Sequence, residues 1–181
     1  MNPSINRVLF VDDDAAMRSA NAQTLELAGF EPVLAASATE AMTELENGFD
    51  GVVVSDIRMP GMDGLQLFEA IRAIDPDLPV ILITGHGDVD MAVSALKRGV
   101  YDFIPKPFPR DRLLASIARA VEKRSLVMEN RRLRAMAAEV DDDLPLIGQT
   151  PQMRSLRRTL RQIAETEVDV LIEGETGSGK D

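Results

Sequence analysis

The sequence contains no cysteine and only one histidine. The lack of cysteine excludes disulfide bonds, thiol chemistry and cysteine-ligated metals, and one histidine cannot form a multi-histidine metal site. No apolar run approaches the roughly 20 residues that a membrane-spanning helix needs. The short run Val8–Val11 is too brief for a signal peptide. We therefore expect a cytoplasmic protein with no membrane partner.

Positive charge is scarce in the first 108 residues. The 181-residue chain has a net charge of −10, and its first 108 residues by themselves also carry −10. Residues 109–140 carry a net positive charge. Affinity for nucleic-acid backbones comes from Lys and Arg, so the acidic part is not expected to bind nucleic acid. The basic stretch is either a solvated helix face or a DNA-binding surface.

Short apolar runs alternate with helical patterns over the first part of the chain. Continuous runs such as Val80–Ile83 are typical of parallel strands buried on both faces, and the segments between the runs repeat with a period of 3.6 residues. This (βα)5 rhythm predicts an α/β fold with an open, doubly wound sheet. The expected strands are Arg7–Val11, Pro32–Ala35, Gly51–Ser55, Pro79–Thr84 and Asp102–Pro105.

Local signals mark the ends of the intervening helices. Ser37 and Glu40 have the spacing of a capping box at the start of the second helix. Glycines close the helical patterns, because a helix often ends at a residue in the left-handed conformation. These glycines are Gly29, Gly48 and Gly99 for the first, second and fourth helices.

The fifth helix is expected to run well past the first domain, because no Gly or Pro occurs from Arg110 until Pro145. Asp141–Asp143 should break it and mark a linker. Part of it has the 4-3-4-3 spacing of a heptad seam with one asparagine, which fixes register in two-stranded coiled coils. An amphipathic helix packed on its own domain is the alternative. The seam is Leu126, Asn130, Leu133, Ala137 and Val140.

Aspartates cluster at the ends of two predicted strands. Asp12, Asp13 and Asp14 follow the first strand, and Asp56 follows the third. The carboxyl ends of parallel strands lie at one edge of the sheet, so these side chains should converge. Crowded carboxylates repel unless a cation binds, and all-oxygen ligands favour Mg²⁺. The alternative is that they are helix caps and solvated loop charges.

Two further residues complete the predicted site. Thr84 ends the fourth strand, and Lys106 lies at the end of the fifth. A hydroxyl and an ammonium facing a metal-bound carboxylate suit a phosphoryl group, with Asp56 as the covalent nucleophile. Gly85 leaves room for the incoming group.

The motifs Val11–Asp14, Ser55–Gly64, Thr84 and Lys106–Phe108 resemble those of the receiver domain of two-component response regulators. This resemblance covers residues 6–122. It implies a flavodoxin-like sheet of order 2-1-3-4-5 and a regulatory domain, rather than an enzyme, that accepts a phosphoryl group from a sensor histidine kinase.

The same resemblance assigns roles within the site. Asp56 would be the phosphoacceptor. Mg²⁺ would be held by Asp13, Asp56 and the backbone carbonyl of Arg58, with Asp12 helping through water. The Lys106–Pro107 peptide would be cis.

In receivers, the threonine moves toward the phosphate and a nearby aromatic turns inward. By resemblance, these switch residues are Thr84 and Phe103. Independently of it, Phe103 would be assigned to the core. Arg58 and His86 lie close enough in sequence to the site for the hypothesis that they tune phosphate lifetime, the alternative being surface positions without a role.

Gly174–Lys180 matches the phosphate-loop pattern G-x-x-x-x-G-K after a predicted strand, with Asp181 where Ser or Thr is usual. With Leu146–Pro151, it resembles the start of the ATPase domain of NtrC-type, sigma-54-dependent activators, and Thr84–Asp88 resembles the receivers of that group. A flexible glycine-rich tail is the alternative. The residues expected to bind ATP phosphates in a full-length protein are Gly174, Gly177, Gly179 and Lys180.

These patterns predict three parts: a receiver domain over 1–122, a helical linker over 123–143, and over 144–181 an N-terminal fragment of an AAA+ ATPase domain that cannot hydrolyse ATP alone. We expect a homodimer through the face of the fourth and fifth helices and through the linker. Sigma-54 RNA polymerase and DNA would be contacted only by regions outside this sequence.

Two other functions fit the residues less well. An aspartate-nucleophile phosphohydrolase of the haloacid dehalogenase type would carry D-x-D at its first strand, whereas the nucleophile here lies on the third. A degenerate receiver that only dimerises would not need the five site residues.

Overall fold

The computed structural model describes residues 6–46, 49–85, 95–142 and 150–164. The chain divides into two compact units, Met1–Asn130 and Arg131–Asp181. Over the described ranges, no helix has the length and apolar character that crossing a membrane requires.

The first unit is built on a parallel sheet in the order β2-β1-β3-β4-β5. This confirms the predicted flavodoxin-like order. Every residue of β3 and β4 is buried, as expected for strands with helices on both faces. The strand bounds are β1 Arg7–Val11, β2 Glu31–Ala35, β3 Val52–Asp56, β4 Val80–Thr84 and β5 Asp102–Pro105.

Alternating side chains of the strands form two apolar clusters, one on each face of the sheet. Leu9, Val53 and Leu82 belong to the cluster on which the second and third helices pack. Phe10, Val54 and Ile83 belong to the other, together with residues of the first helix and the long helix. The period of two along each strand therefore supplies both layers of the core.

Five helices are present in the described ranges, and the local signals explain where they begin and end. The Asp14 side chain caps the first helix, and Gly29 follows it with φ of 85°, a conformation that favours glycine. The five helices are the first helix Ala15–Leu27, the second helix Ala38–Glu46, the third helix Gly64–Ile74, the long helix Arg110–Asp142 and the C-terminal helix Pro151–Ala164.

The capping pattern at Ser37 and Glu40 takes a shifted form. The Ser37 hydroxyl accepts from the Glu40 amide at 3.2 Å, as in a capping box. The Glu40 carboxylate accepts from the Ala36 amide at 2.7 Å, rather than from that of Ser37. The bond from the Glu40 side chain therefore holds Ala36, the residue before the cap.

The fourth predicted helix and Gly48 lie almost wholly outside the described residues. Ala95–Lys97 is its only described helical part. Gly99 follows with φ of 103°, as expected for a residue that closes a helix.

The long helix changes character along its length. Leu113, Ile117 and Ala120 are completely buried against the sheet. Leu126 of the predicted seam is instead 68% exposed, which argues against packing of this side chain on its own domain. Leu133, in the second unit, is 53% exposed. The helix ends at Asp142, within the aspartate triplet that was expected to break it.

Candidate functional site

Three carboxylates meet at the carboxyl edge of the sheet. Oxygens of Asp12, Asp13 and Asp56 all lie within 4.8 Å of one another. Asp12 follows β1, Asp56 is the last residue of β3, and these two strands are neighbours. The predicted convergence therefore results directly from the parallel pairing.

The Lys106 ammonium lies between two of these carboxylates. Its Nζ donates to Asp56 Oδ2 at 2.8 Å and to Asp12 Oδ2 at 3.2 Å. Burial by itself would lower the pKa of Lys106, but its hydrogen bond to Asp56 and the charges of Asp12 and Asp56 outweigh that effect and raise the pKa above its ordinary value. Lys106 is therefore cationic at neutral pH.

The backbone carrying Asp56 is held tightly. Its carbonyl accepts from the Ser55 hydroxyl at 2.8 Å, and Ser55 is fully buried. A Cβ at Gly64 would lie 2.2 Å from the same carbonyl oxygen. The start of the third helix thus packs directly against the strand end that presents Asp56, and only glycine fits there.

The loop between β3 and the third helix is closed by a capping box. The Asp63 carboxylate accepts from the Gln66 amide at 2.8 Å, and the Gln66 side chain accepts from the Asp63 amide at 3.1 Å. The Gly64 amide also donates to the Ile57 carbonyl at 2.9 Å. These bonds return the chain to the sheet immediately after Asp56.

Thr84 and Phe103 occupy neighbouring strands. Thr84 is the buried last residue of β4, next to an open position at Gly85, where a Cβ would meet nothing within 4 Å. Phe103 on β5 pairs in register with Leu82 and is partly buried against the cluster on the side of the second and third helices. The Lys106 amide donates to the Thr84 carbonyl, and the Lys106–Pro107 peptide is cis, as expected.

Other predicted site residues have a different status. The Arg58 side chain is exposed two residues beyond Asp56, and the ligand role of its carbonyl remains a prediction. His86 and the phosphate loop lie outside the described residues. The loop residues concerned are Gly174, Gly177, Gly179 and Lys180.

One contact of the site was not foreseen. The Arg18 guanidinium donates from Nη1 to the backbone carbonyl of Asp12 at 2.6 Å. The spacing of Asp14 and Arg18 is that of an i,i+4 ion pair, but the Asp14 carboxylate caps the helix by accepting from the Ala16 and Met17 amides. A capping aspartate four residues before an arginine is thus a weak signal for such a backbone contact.

The donor set fits a small hard cation. The three residues offer carboxylate oxygens only, and their proximity leaves negative charge that Lys106 neutralises in part. Mg²⁺ prefers such oxygens and is commonly bound through one or two carboxylates plus water. No thiolate or imidazole is present among them to favour a softer metal.

Comparison with known protein families identifies two segments. Residues 8–118 match the response regulator receiver domain, and residues 146–181 match the sigma-54 interaction domain. The first match covers the candidate site and the sheet from Val8 onward.

The matches to two relatives extend over nearly all of this chain. The C4-dicarboxylate transport transcriptional regulatory protein DctD of Rhizobium meliloti is 62% identical over 96% of the chain. The protein of that name from Pseudomonas aeruginosa is 49% identical over 97%. The chain spans 38% of the length of each relative.

Solved structures show the same likeness. NtrX from Brucella abortus in complex with ATP superimposes with a TM-score of 0.65 at 36% identity, covering 88% of this chain and 35% of that one. The likeness therefore concerns about a third of a longer protein.

Proposed function

Because the chain belongs to the response regulator receiver family, we propose that it is the phosphorylation-controlled input part of a sigma-54-dependent transcriptional activator. The observation that carries this proposal is the meeting of Asp12, Asp13, Asp56 and Lys106 at one sheet edge. The match of residues 146–181 to the sigma-54 interaction domain supports the output.

Asp56 is the proposed phosphoacceptor. Its carboxylate oxygen attacks the phosphorus of a phosphohistidine on a sensor kinase; the O–P bond forms, the P–N bond breaks, and the imidazole leaves with the electron pair. Asp13, Asp56 and the backbone carbonyl of Arg58 would hold Mg²⁺, with Asp12 helping through water. When bound, Mg²⁺ supplies positive charge that offsets the charge on the phosphoryl oxygens.

Lys106 and Thr84 are proposed to bind the oxygens of the transferred group. Lys106 already contacts Asp56 at 2.8 Å, so its ammonium lies beside the carboxylate that would carry the phosphoryl group. The Thr84 hydroxyl lies on the next strand and would shift toward the phosphoryl group, leaving space into which Phe103 turns. This exchange is the proposed switch.

The long helix is proposed to carry the change onward. Its buried half packs on the sheet face that includes β5, and its exposed leucines leave an apolar seam for a second copy of the chain. We assign a receiver to 1–122, a dimerising linker to 123–143 and the beginning of an AAA+ ATPase domain to 144–181. The fourth-helix face would contribute to the dimer.

Partners beyond the kinase belong to the full-length protein. In the full-length protein, ATP phosphates would be bound with the help of Gly174, Gly177, Gly179 and Lys180. Sigma-54 RNA polymerase and DNA would be bound through regions outside this sequence, in the cytoplasm where those partners act. The ATP seen with NtrX supports the nucleotide assignment by likeness.

Acetyl phosphate and Mg²⁺ test the proposal. We expect intact mass spectrometry to show the gain of one phosphoryl group by the wild type, with none by Asp56→Asn or in the presence of a chelator. Asp63→Asn is the matched control because Asp63 caps a helix in the same loop. Labelling of Asp56→Asn equal to wild type, or no wild-type adduct, would refute the assignment.

A further inference from the structure

The turn that carries Asp12 and Asp13 is held by bonds to its backbone. The Asp12 amide donates to the Ala35 carbonyl at 3.3 Å, and the Asp14 amide donates to Asp12 Oδ1 at 2.9 Å. The shortest of these bonds, at 2.6 Å, joins the Arg18 guanidinium to the Asp12 carbonyl. Hydrogen bonds from a charged donor are stronger than those between neutral groups.

The Asp12 carbonyl belongs to the peptide group that leads to Asp13. A peptide group is planar from one Cα to the next, so the direction of this carbonyl sets the orientation of the bond into Asp13. Asp13 is exposed, and packing therefore does little to place its carboxylate. The backbone orientation decides whether that carboxylate reaches the oxygens of Asp12 and Asp56.

Helix geometry explains how Arg18 reaches this carbonyl. Arg18 lies in the first turns of the first helix, and its amide donates to the Asp14 carbonyl at 3.0 Å. Long side chains on a helix point back toward its N-terminus. The half-buried guanidinium is thus directed to the turn before the helix.

We propose that Arg18 is a positioning residue for the metal site: it orients the Asp12–Asp13 peptide so that the Asp13 carboxylate is presented to Mg²⁺. This inference rests on the proposed function of the site. If Arg18 positions Asp13, its removal should weaken Mg²⁺ binding. If Arg18 acted only through its charge, its removal should strengthen Mg²⁺ binding, because a guanidinium near a cation site repels the cation.

Mg²⁺ titration by isothermal calorimetry separates the two effects. For Arg18→Ala we expect roughly tenfold weaker Mg²⁺ binding, as found for other residues that orient metal ligands. Arg18→Lys, which keeps a charged donor, should recover part of the loss, and Arg18→Gln should fall between Lys and Ala. Arg134→Ala is the matched control because it removes one exposed arginine on the long helix.

A second measurement excludes a merely structural role. Phosphorylation by acetyl phosphate should need roughly tenfold more Mg²⁺ for half-maximal rate in Arg18→Ala, while the maximal rate at saturating Mg²⁺ stays that of wild type. Urea unfolding without metal reports stability separately. If Arg18→Ala fails to fold, Arg18→Lys and Arg18→Gln carry the same comparison.

The outcomes are distinct. Wild-type or tighter Mg²⁺ binding by the folded variants would overturn the inference, as would weakening of equal size in Arg134→Ala. Absence of Mg²⁺ binding and of phosphorylation in the wild type would instead refute the proposed function.

Discussion

Each end of the sheet holds one cationic side chain bonded to oxygen acceptors, but the two side chains are held differently. At the carboxyl end, Lys106 bonds two side-chain carboxylates and is 28% exposed. At the amino end, Arg124 bonds the Asp75 carboxylate at 2.8 Å and the Asp50 backbone carbonyl at 3.1 Å, and only 3% of it is exposed. Similar distances therefore occur in two different environments.

This difference separates a chemical site from a structural joint. Arg124 joins the long helix to the C-cap of the third helix and to the segment before β3, through a planar group that suits several fixed acceptors. Lys106 is a compact ammonium beside carboxylates that a metal ion would also bind. We expect the contacts of Arg124 to govern stability and those of Lys106 to govern ligand binding.

The largest expected effect on stability comes from replacing Arg124. Arg124→Met should lower the free energy of unfolding by about 3 kcal/mol, because it leaves the Asp75 carboxylate without its buried partner. Mg²⁺ affinity should not change, since the carboxylate site is at the other end of the sheet. Urea denaturation and Mg²⁺ titration measure both; an unchanged stability would remove the distinction between the two ends.

Gly64 tests how rigidly the carboxyl end presents Asp56. Gly64→Ala should cost about 2 kcal/mol, because its Cβ would lie 2.2 Å from the Asp56 carbonyl oxygen and the backbone must move. Gly85→Ala is the matched comparison, because open space surrounds a Cβ there and stability should change by less than about 0.5 kcal/mol. Equal losses of Tm in the two variants would contradict this account.

Lys106 should affect stability less than Arg124 does. Lys106→Met is expected to destabilise the metal-free protein by about 1 kcal/mol, because a partly exposed ion pair contributes little. Mg²⁺ should bind up to about fivefold more tightly, since the metal no longer competes with the ammonium. Weaker Mg²⁺ binding by a folded Lys106→Met would show that the lysine organises the carboxylates instead.

The smallest effect on stability is expected just beyond Arg124. Leu126→Ser should change the free energy of unfolding by less than about 0.5 kcal/mol, because 68% of Leu126 is already exposed. Ile117→Ala, in the buried half of the same helix, should cost about 3 kcal/mol. Analytical ultracentrifugation of Leu126→Ser with Leu133→Ser should show weaker dimerisation; an unchanged dimer would refute the proposed seam.

Much of the candidate site could be predicted because it depends on topology. Once the alternation of strands and helices indicated a parallel sheet, Asp12, Asp56, Thr84 and Lys106 had to lie at one edge. The strand order is confirmed, and the boundary of β3 moved by one residue so that Asp56 ends the strand. The ligand and switch roles remain predictions.

The contacts of Arg18 and Arg124 could not be predicted in this way. Arg18 has a nearby carboxylate at i−4, yet it bonds a backbone carbonyl, and Arg124 bonds groups 49 and 74 residues away in sequence, Asp75 and Asp50. A guanidinium reaches many acceptors, and which one it selects depends on the distances between packed elements.

The amino-acid sequence by itself determined the alternation of strands and helices along the chain, the residue types at the strand ends and the uninterrupted run of the long helix, because these follow from periodicity and from chain breakers that act locally. The tertiary structure decided which carboxylates bond to Lys106, where the long helix leaves the core, and which groups Arg18 and Arg124 contact. Each of those outcomes depends on the separation of elements distant in sequence, a quantity set by the packing of the whole domain.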